Sequence, residues 1–104
     1  NLVVCDADNH RLQIVTVGGS FVRTIGSRGS GNVQFQNPDG VAVLEDGNLI
    51  VCDFDNHRLQ ILTVGGEFVR TIPCYGPLCV TVLDRDYVAV GVGGPHYCVD
   101  LVKV

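Results

Sequence analysis

Short apolar segments separated by turn residues run along the chain, and none of them has helical spacing. Four such segments follow one another in the middle of the chain, at residues 41–44, 49–52, 58–64 and 67–72. In the third segment, Leu59 and Ile61 alternate with Arg58 and Gln60, which is the two-residue period of a strand. Gly65-Gly66 then makes a tight turn, because paired glycines accept the positive φ of short hairpins. The pattern predicts an all-β unit of four antiparallel strands.

The unit is repeated. Residues 4–25 align without a gap with residues 51–72, and 19 of these 22 positions are identical. The three differences are Ala7/Phe54, Val15/Leu62 and Ser20/Glu67. Four short strands in a repeat of 40-odd residues are typical of a β-propeller blade. The fold class predicted is therefore all-β, with four-stranded propeller blades.

Three blade units divide the chain. Residues 1–25 correspond to strands 2–4 of a partial blade, and residues 26–72 to a complete blade with its preceding linker. Residues 73–104 correspond to strands 1–3 of a degenerate terminal blade. Because a propeller closes with about four to eight blades, these residues form an incomplete propeller. Unpaired strand edges favour pairing between copies, so we expect self-association.

Composition narrows the class of partner. The net charge is −4, with 11 acidic against 7 basic residues, and no basic stripe suited to phosphate is present. No apolar run approaches the roughly 18 residues of a membrane span, so no membrane contact is expected. The five cysteines have no disulfide-framework spacing, which favours free thiols and a cytoplasmic location. A disulfide between Cys74 and Cys79 is the alternative.

The sequence resembles the NHL-repeat family. The resemblance rests on the N-H-R-L-Q-I stretch, preceded by an aspartate and followed by G-G-x-F-V-R-T-I, in residues 1–72. It implies a propeller, typically of six blades, that binds proteins or, in some members, RNA hairpins. One common setting is the C-terminal domain of tripartite-motif proteins, which would make this chain the substrate-recognition end of a ubiquitin ligase. Any ligase activity would lie in other domains, so we expect no enzymatic activity here.

The polar cluster in the repeat allows two interpretations. Its members are Asp6, Asp8, Asn9, His10 and Arg11 in the first copy and Asp53, Asp55, Asn56, His57 and Arg58 in the second. The D-x-D-N spacing offers oxygens to calcium, but the glycine and distal glutamate of a calcium loop are missing. Asp and Asn instead cap tight turns through their side chains, and Asn accepts the left-handed backbone that such a turn needs. An Asp ending one strand can also pair with an Arg starting the next. Since each blade repeats the cluster, we interpret it as scaffolding.

Catalysis is the weakest interpretation. His10, His57 and His96 occupy equivalent places in successive blades, and an axial metal, as in propeller lyases and lactonases, would need such a ring. The strand 2–3 loops lie away from the axis, however, and the first strands offer no inward ligand. Cys74 and Cys79 are the only cysteines near a loop, and no histidine lies close to either of them in sequence to act as a base. We predict no catalytic residue, no metal and no cofactor.

A protein partner is expected at the face where the strand 2–3 loops and the linkers emerge, because loops and insertions carry binding in repeat proteins. The candidate partner-binding residues are Arg28, Gln34, Phe54, Asp55, His57, Tyr75 and His96. Phe35 is expected instead to fill the gap between blades. RNA binding at the same face is the alternative, although Arg28 is the one basic residue predicted to be free there.

Overall fold

The computed structural model describes residues 1–93 and 98–104. Strands dominate this part of the chain, and no α-helix occurs in it. The strands are β1 (Leu2–Asp6), β2 (Arg11–Val15), β3 (Phe21–Ile25), β4 (Ser27–Arg28), β5 (Gln34–Phe35), β6 (Pro38–Val43), β7 (Leu49–Asp53), β8 (Arg58–Leu62), β9 (Phe68–Pro73), β10 (Pro77–Val82), β11 (Tyr87–Val92) and β12 (Cys98–Lys103). Two single-turn 3₁₀ helices, η1 (Ala7–Asn9) and η2 (Phe54–Asn56), follow β1 and β7. Within the described residues, no helix is long and apolar enough to span a bilayer.

Three antiparallel sheets follow one another along the chain, in the orders β1-β2-β3, β6-β7-β8-β9 and β10-β11-β12. The first two sheets share one register: Asp6 lies opposite Arg11, as Asp53 lies opposite Arg58. Both sheets also have a register shift at the same repeat position, after Ile14 and after Ile61. The predicted all-β fold class, with blade-like antiparallel units, is confirmed.

Two strand ends differ from the prediction by two residues or more. The strand expected over residues 41–44 begins at Pro38, because Pro38 pairs with Asp53 across an irregularity that ends at Gly40. The strand expected to reach residue 64 ends at Leu62. There the Thr63 N–H donates to the carbonyl of Glu67 at 2.8 Å, which turns the chain toward β9.

The linker at residues 26–37 also has regular structure, which the sequence did not predict. Ser27 pairs in parallel with Gln34, and Arg28 with Phe35, so the linker folds back on itself. Gly26 turns the chain into this loop with φ +88°, and a Cβ there would lie 2.3 Å from the Phe35 ring. Glycine is therefore required at this position on both conformational and steric grounds.

The middle sheet is buried on both faces because its strand residues alternate between two apolar clusters. One cluster joins it to the first sheet and consists of Leu12, Ile14, Ile25, Phe35, Leu49, Val51 and Leu62. The other joins it to the third sheet and consists of Leu44, Ile50, Cys52, Leu59, Ile61, Val88, Val90 and Val92. Phe35 has no exposed surface, so the prediction that it fills the gap between blades is confirmed.

Each outer sheet leaves one face uncovered. On the first sheet we call this the open face; it consists of Leu2, Val4, Asp6, Arg11, Gln13 and Val15, which lie opposite one another in the β1–β2 register. Leu2 and Val4 are 49% and 45% exposed. On the third sheet, Val99 and Leu101 are 75% and 65% exposed. Such surfaces agree with the predicted self-association, which stays a prediction.

Candidate interaction surface

The turn between β7 and β8, which contains η2, meets the linker at one edge of the middle sheet. We call this edge the loop face; it consists of the linker at residues 26–37, η2, His57 and residues 74–76. The Asp55 N–H donates to the carbonyl of Gln36 at 3.0 Å, and the Cys74 N–H donates to the carbonyl of His57 at 3.2 Å. These bonds attach both neighbouring segments to the turn, so the loop face is a fixed surface.

Asp53 organises this edge. Its side chain is completely buried, and its Oδ2 accepts hydrogen bonds from Arg58 Nε at 2.8 Å and Asn56 Nδ2 at 2.9 Å. Gln60 Nε2 lies 3.3 Å from the same oxygen, and the Gln36 N–H donates to Oδ1 at 2.8 Å. A buried carboxylate needs this many donors to offset its lost hydration. We call these four side chains (Asp53, Asn56, Arg58 and Gln60) the Asp53 cluster.

Arg58 extends the cluster to the linker. Its Nη1 donates to the carbonyl of Ser30 at 3.0 Å, and its Nη2 donates to the carbonyls of Gly31 and Gln34, both at 2.8 Å. Only 13% of its side chain is exposed. The ion pair predicted from the sequence is present, and its guanidinium also holds three linker carbonyls in place.

Gln60 is the member that sequence reasoning missed. It was expected on the polar face of β8, but it is completely buried. Its Nε2 donates to the carbonyl of Gln34 at 2.7 Å, and its Oε1 accepts from the Val33 N–H at 3.0 Å. The one sequence indication was that glutamine stands at the same place in both copies, as Gln13 and Gln60.

The turn itself differs from the predicted one. Neither Asp6 nor Asp53 makes a side-chain capping bond to the 3₁₀ turn that follows it. The left-handed residue is also the histidine and not the asparagine, with φ 54° at His10 and φ 50° at His57. Asn56 instead donates from Nδ2 to the carbonyl of Gly29 at 2.8 Å. The capping prediction was wrong because the polar side chains bind the linker and one another.

Each histidine connects its turn to the next sheet. His10 Nδ1 accepts the Asn37 N–H at 2.9 Å, and His57 Nδ1 accepts the Gly76 N–H at 3.1 Å. Asn37 and Gly76 each stand directly before the proline that opens the next first strand. Both imidazoles therefore position the entry of the following blade, which gives His10 and His57 a structural role in the described part of the chain.

His57 and Tyr75 form the aromatic centre of the loop face. Their rings stack with centroids 4.6 Å apart and planes at 4°, and Tyr75 is 65% exposed. Phe54 is half-buried, and its ring lies beside Gly76. The structure therefore brings together three of the predicted partner-binding residues in one place.

Of the other predicted partner-binding residues, the structure describes Arg28, Gln34 and Asp55. Arg28 and Asp55 are exposed, as expected for contact residues. Gln34 is half-buried, and its Oε1 already accepts the Gly31 N–H at 2.9 Å. His96 lies outside the described residues. The binding role of all seven residues stays a prediction.

Three carboxylates, those of Asp8, Asp39 and Asp55, lie close enough together to interact, and Asp55 belongs to η2 of the loop face. Partial burial, together with repulsion from Asp55 and Asp8, raises the pKa of Asp39. Asp39 follows Pro38 in β6, and no sequence pattern groups it with the two turn aspartates. Asp55 of the loop face therefore lies close enough to Asp39 of β6 to repel it.

The first copy of the cluster is organised in the same way but is more exposed. Asp6 accepts from Asn9 Nδ2, from Arg11 Nε at 2.9 Å and from Gln13 Nε2 at 3.0 Å. Hydrogen bonds from Gln13, Arg11 and Asn9 lower the pKa of this carboxyl. We call these four side chains the Asp6 cluster.

Three of the five cysteines are poor nucleophiles. Burial raises the pKa of Cys5 to about 11 and that of Cys52 to about 12, and it also raises the pKa of Cys74. A thiol must lose its proton to react, so these three stay protonated near neutral pH. All five cysteines are free, Cys74 and Cys79 included. Among the described residues, no group of three or more His, Cys, Asp or Glu side chains could hold a metal ion.

Comparison with known proteins identifies the repeat. The NHL repeat family matches residues 35–62. The fold is similar to that of Kuenenia stuttgartiensis hydrazine synthase, a β-propeller-type protein, with a TM-score of 0.78 at 16% identity. That match covers 97% of this chain and 28% of the other, so it establishes the fold alone. No curated protein matches the sequence significantly. The chain therefore carries an NHL repeat and is built from β-propeller blades.

Proposed function

We propose that this chain is a non-catalytic interaction module that binds a protein partner at its loop face. The observation that carries the proposal is the Tyr75 ring, 65% exposed and stacked on His57. Exposed aromatic side chains on rigid supports supply much of the binding energy at protein interfaces. His57 is itself held by the Gly76 N–H, so the stack loses little entropy when a partner binds.

The carboxylates grouped with Asp55 of the loop face favour a basic partner segment. Asp55 and Asp8 repel Asp39, and this repulsion adds to partial burial in raising the pKa of Asp39. A lysine or arginine from a partner would relieve this repulsion, whereas a phosphate backbone would increase it. We therefore favour a protein partner that presents a cationic residue beside an apolar one, and we rank RNA second.

The wider setting follows from the family resemblance. In a tripartite-motif protein this surface would be the substrate-recognition end of a ubiquitin ligase whose catalytic domains lie elsewhere. That setting and the cytoplasmic location stay predictions, and sequence upstream of Asn1 encoding zinc-binding fingers would support the first.

A peptide selection tests the binding proposal. A random peptide library displayed on phage is selected on the purified chain and counter-selected on the Tyr75→Ala variant. Peptides rich in lysine or arginine that bind the wild-type chain and not Tyr75→Ala are expected. Tyr87→Ala is the matched control, because Tyr87 is 38% exposed at the start of β11, away from the loop face. Acidic peptides, or peptides that bind Tyr75→Ala equally well, would refute it.

Titration of a labelled RNA hairpin separates the two classes of partner. The protein proposal predicts no saturable binding at low salt. Saturable binding that weakens steeply with added salt and is lost in Arg28→Ala would replace it with the RNA alternative.

A further inference from the structure

The third sheet lacks the ion pair with which the middle sheet holds its linker. In the middle sheet Asp53 lies opposite Arg58, and both side chains bind the linker at residues 26–37. At the corresponding strand ends of the third sheet, Val92 lies opposite Cys98. A valine and a thiol form no ion pair, so the short linker before the third sheet is held in another way.

This short linker, residues 74–76, brings a second thiol to the junction between the middle and third sheets. Cys74 stands three residues before the proline that opens β10, as Phe35 stands three residues before the proline that opens β6. Phe35 is completely buried in the cluster that joins the first two sheets. Cys74 packs in the same way against the cluster that joins the last two sheets, so its side chain faces this junction.

The strand register turns the Cys98 side chain toward the same junction. Residues directly opposite each other in an antiparallel pair project from the same face of the sheet. Val92, the partner of Cys98, is buried in the cluster that joins the last two sheets. The Gly93 N–H also donates to the carbonyl of Gly76 at 2.9 Å, which ties the end of β11 to the short linker that carries Cys74. The two thiols therefore lie at the same end of one junction.

The charges around Cys74 agree with this placement. Burial raises the pKa of Cys74, and repulsion from Asp100 and Cys98 raises it further, so both groups lie near its sulfur. Asp100 lies opposite Val90, which is also buried against the middle sheet. The Cys98 Sγ is 3.9 Å from Asp100 Oδ1. The thiol of Cys98 and the carboxylate of Asp100 thus project from one face of β12, toward Cys74.

Cys79, the partner that the sequence allowed for Cys74, faces the other way. It lies opposite Gly91, and a Cβ on Gly91 would lie 2.5 Å from the Cys79 Sγ. Val90 and Val92, the neighbours of Gly91 in β11, both face the middle sheet. Because successive residues of a strand point to opposite faces, the Cys79 thiol lies on the far face of the third sheet.

We propose that Cys74 and Cys98 form a reversible disulfide that fastens the third sheet to the middle one. The oxidant is a low-molecular-weight disulfide such as glutathione disulfide. The exposed Cys98, as thiolate, attacks one sulfur of the oxidant and releases one glutathione. Cys74 then gives up its proton and attacks the Cys98 sulfur, which releases the second glutathione. The two protein thiols thus lose two electrons and two protons, and the oxidant takes up both.

Mass spectrometry of the oxidised chain tests this proposal. The purified full chain is incubated with glutathione disulfide, its remaining thiols are alkylated, and it is digested with trypsin without reduction. A disulfide link between the peptides of residues 71–85 and residues 86–103 is expected. Cys74 and Cys79 share the first peptide, so variants assign the link: it should persist in Cys79→Ser, the matched control, and disappear in Cys74→Ser.

The same oxidation in concentrated urea is the second control, because the unfolded chain has no preferred pair. The wild-type link can be read without any variant, so the test stands even if Cys74→Ser fails to fold. A bond between Cys74 and Cys79, a link to Cys52, glutathione adducts alone, or the same mixture of pairs with and without urea would overturn the proposal.

Unfolding in urea tests whether the bond fastens the two sheets. The oxidised wild-type chain should unfold at a higher urea concentration than the reduced chain, because a cross-link restricts the unfolded state. Cys79→Ser should keep this increase. An oxidised chain that carries the link and unfolds at the same concentration as the reduced chain would show that the bond does not hold the junction. The proposal does not depend on partner binding at the loop face, since both measurements follow only the bond.

Discussion

Replacing Asp53 by alanine should destabilise the chain far more than the same change at Asp6, although the two residues stand in identical repeats. In Asp53→Ala, the Arg58 guanidinium keeps a largely buried position without its counter-ion. The N–H of Gln36 and the amides of Asn56 and Gln60 lose an acceptor as well. In Asp6→Ala the affected side chains are partly exposed, so water replaces the lost carboxylate.

The expected loss in the free energy of unfolding follows from the burial of the Asp53–Arg58 pair. Removing one partner of a buried ion pair costs about 3–5 kcal/mol, because the remaining charge is left uncompensated. Asp53 is completely buried and Arg58 is 13% exposed, which places this pair in that range. A domain of this size is stable by roughly 5–15 kcal/mol, so Asp53→Ala should remove a large share of the total.

Equilibrium unfolding in urea, followed by circular dichroism in the far ultraviolet, measures the difference. The midpoint should fall sharply for Asp53→Ala and only slightly for Asp6→Ala, with similar slopes for both variants. Equal losses in the two variants would show that the linker does not cover the Asp53 cluster as described, and the reasoning would be refuted.

Three further predictions concern single positions. Gly26→Ala should destabilise the chain more than Gly47→Ala. Both glycines have φ near +90°, which alone costs about 1–2 kcal/mol in alanine, but only the Cβ at position 26 would meet the Phe35 ring. Equal unfolding midpoints in urea would contradict this. The free energy of unfolding should fall as the pH rises from about 9 toward 12, because the unfolded chain releases the Cys52 proton before the folded chain does; Cys52→Ala should reduce that slope, and an unchanged slope would argue against burial of this thiol. The lowered pKa of Asp6 stabilises the folded chain above about pH 4, and this contribution should disappear as the pH falls through the folded-state pKa. Asp6→Asn should lack the contribution at every pH. The same dependence of the free energy of unfolding on acid pH in this variant would contradict the assigned hydrogen bonds.

The local pattern was sufficient to predict the strands. Alternation in segments such as residues 58–62, and the near identity of the two copies, identified blade units because strand periodicity is a short-range property. The Asp53–Arg58 ion pair was predictable for the same reason, since a strand end and the next strand start lie adjacent in any hairpin.

Long-range contacts were not predictable from the same pattern. Gln60 looks like a surface residue in its own strand, and it is buried only because the linker, some 26 residues earlier, covers it. The acidic group around Asp39 likewise depends on how two blades pack. His57 takes the left-handed conformation because its imidazole binds Gly76 in the next blade, a contact that no turn rule contains.

Hydrogen exchange of the linker amides tests most directly whether the repeated polar cluster fastens one blade to the next. The Gln36 amide donates to Asp53 Oδ1 at 2.8 Å, and the Val33 amide donates to Gln60 Oε1 at 3.0 Å. Measured by NMR, both should exchange as slowly as the amides of β7 and β8. Exchange at the rate of an unstructured peptide would mean that the linker is not bound to the cluster.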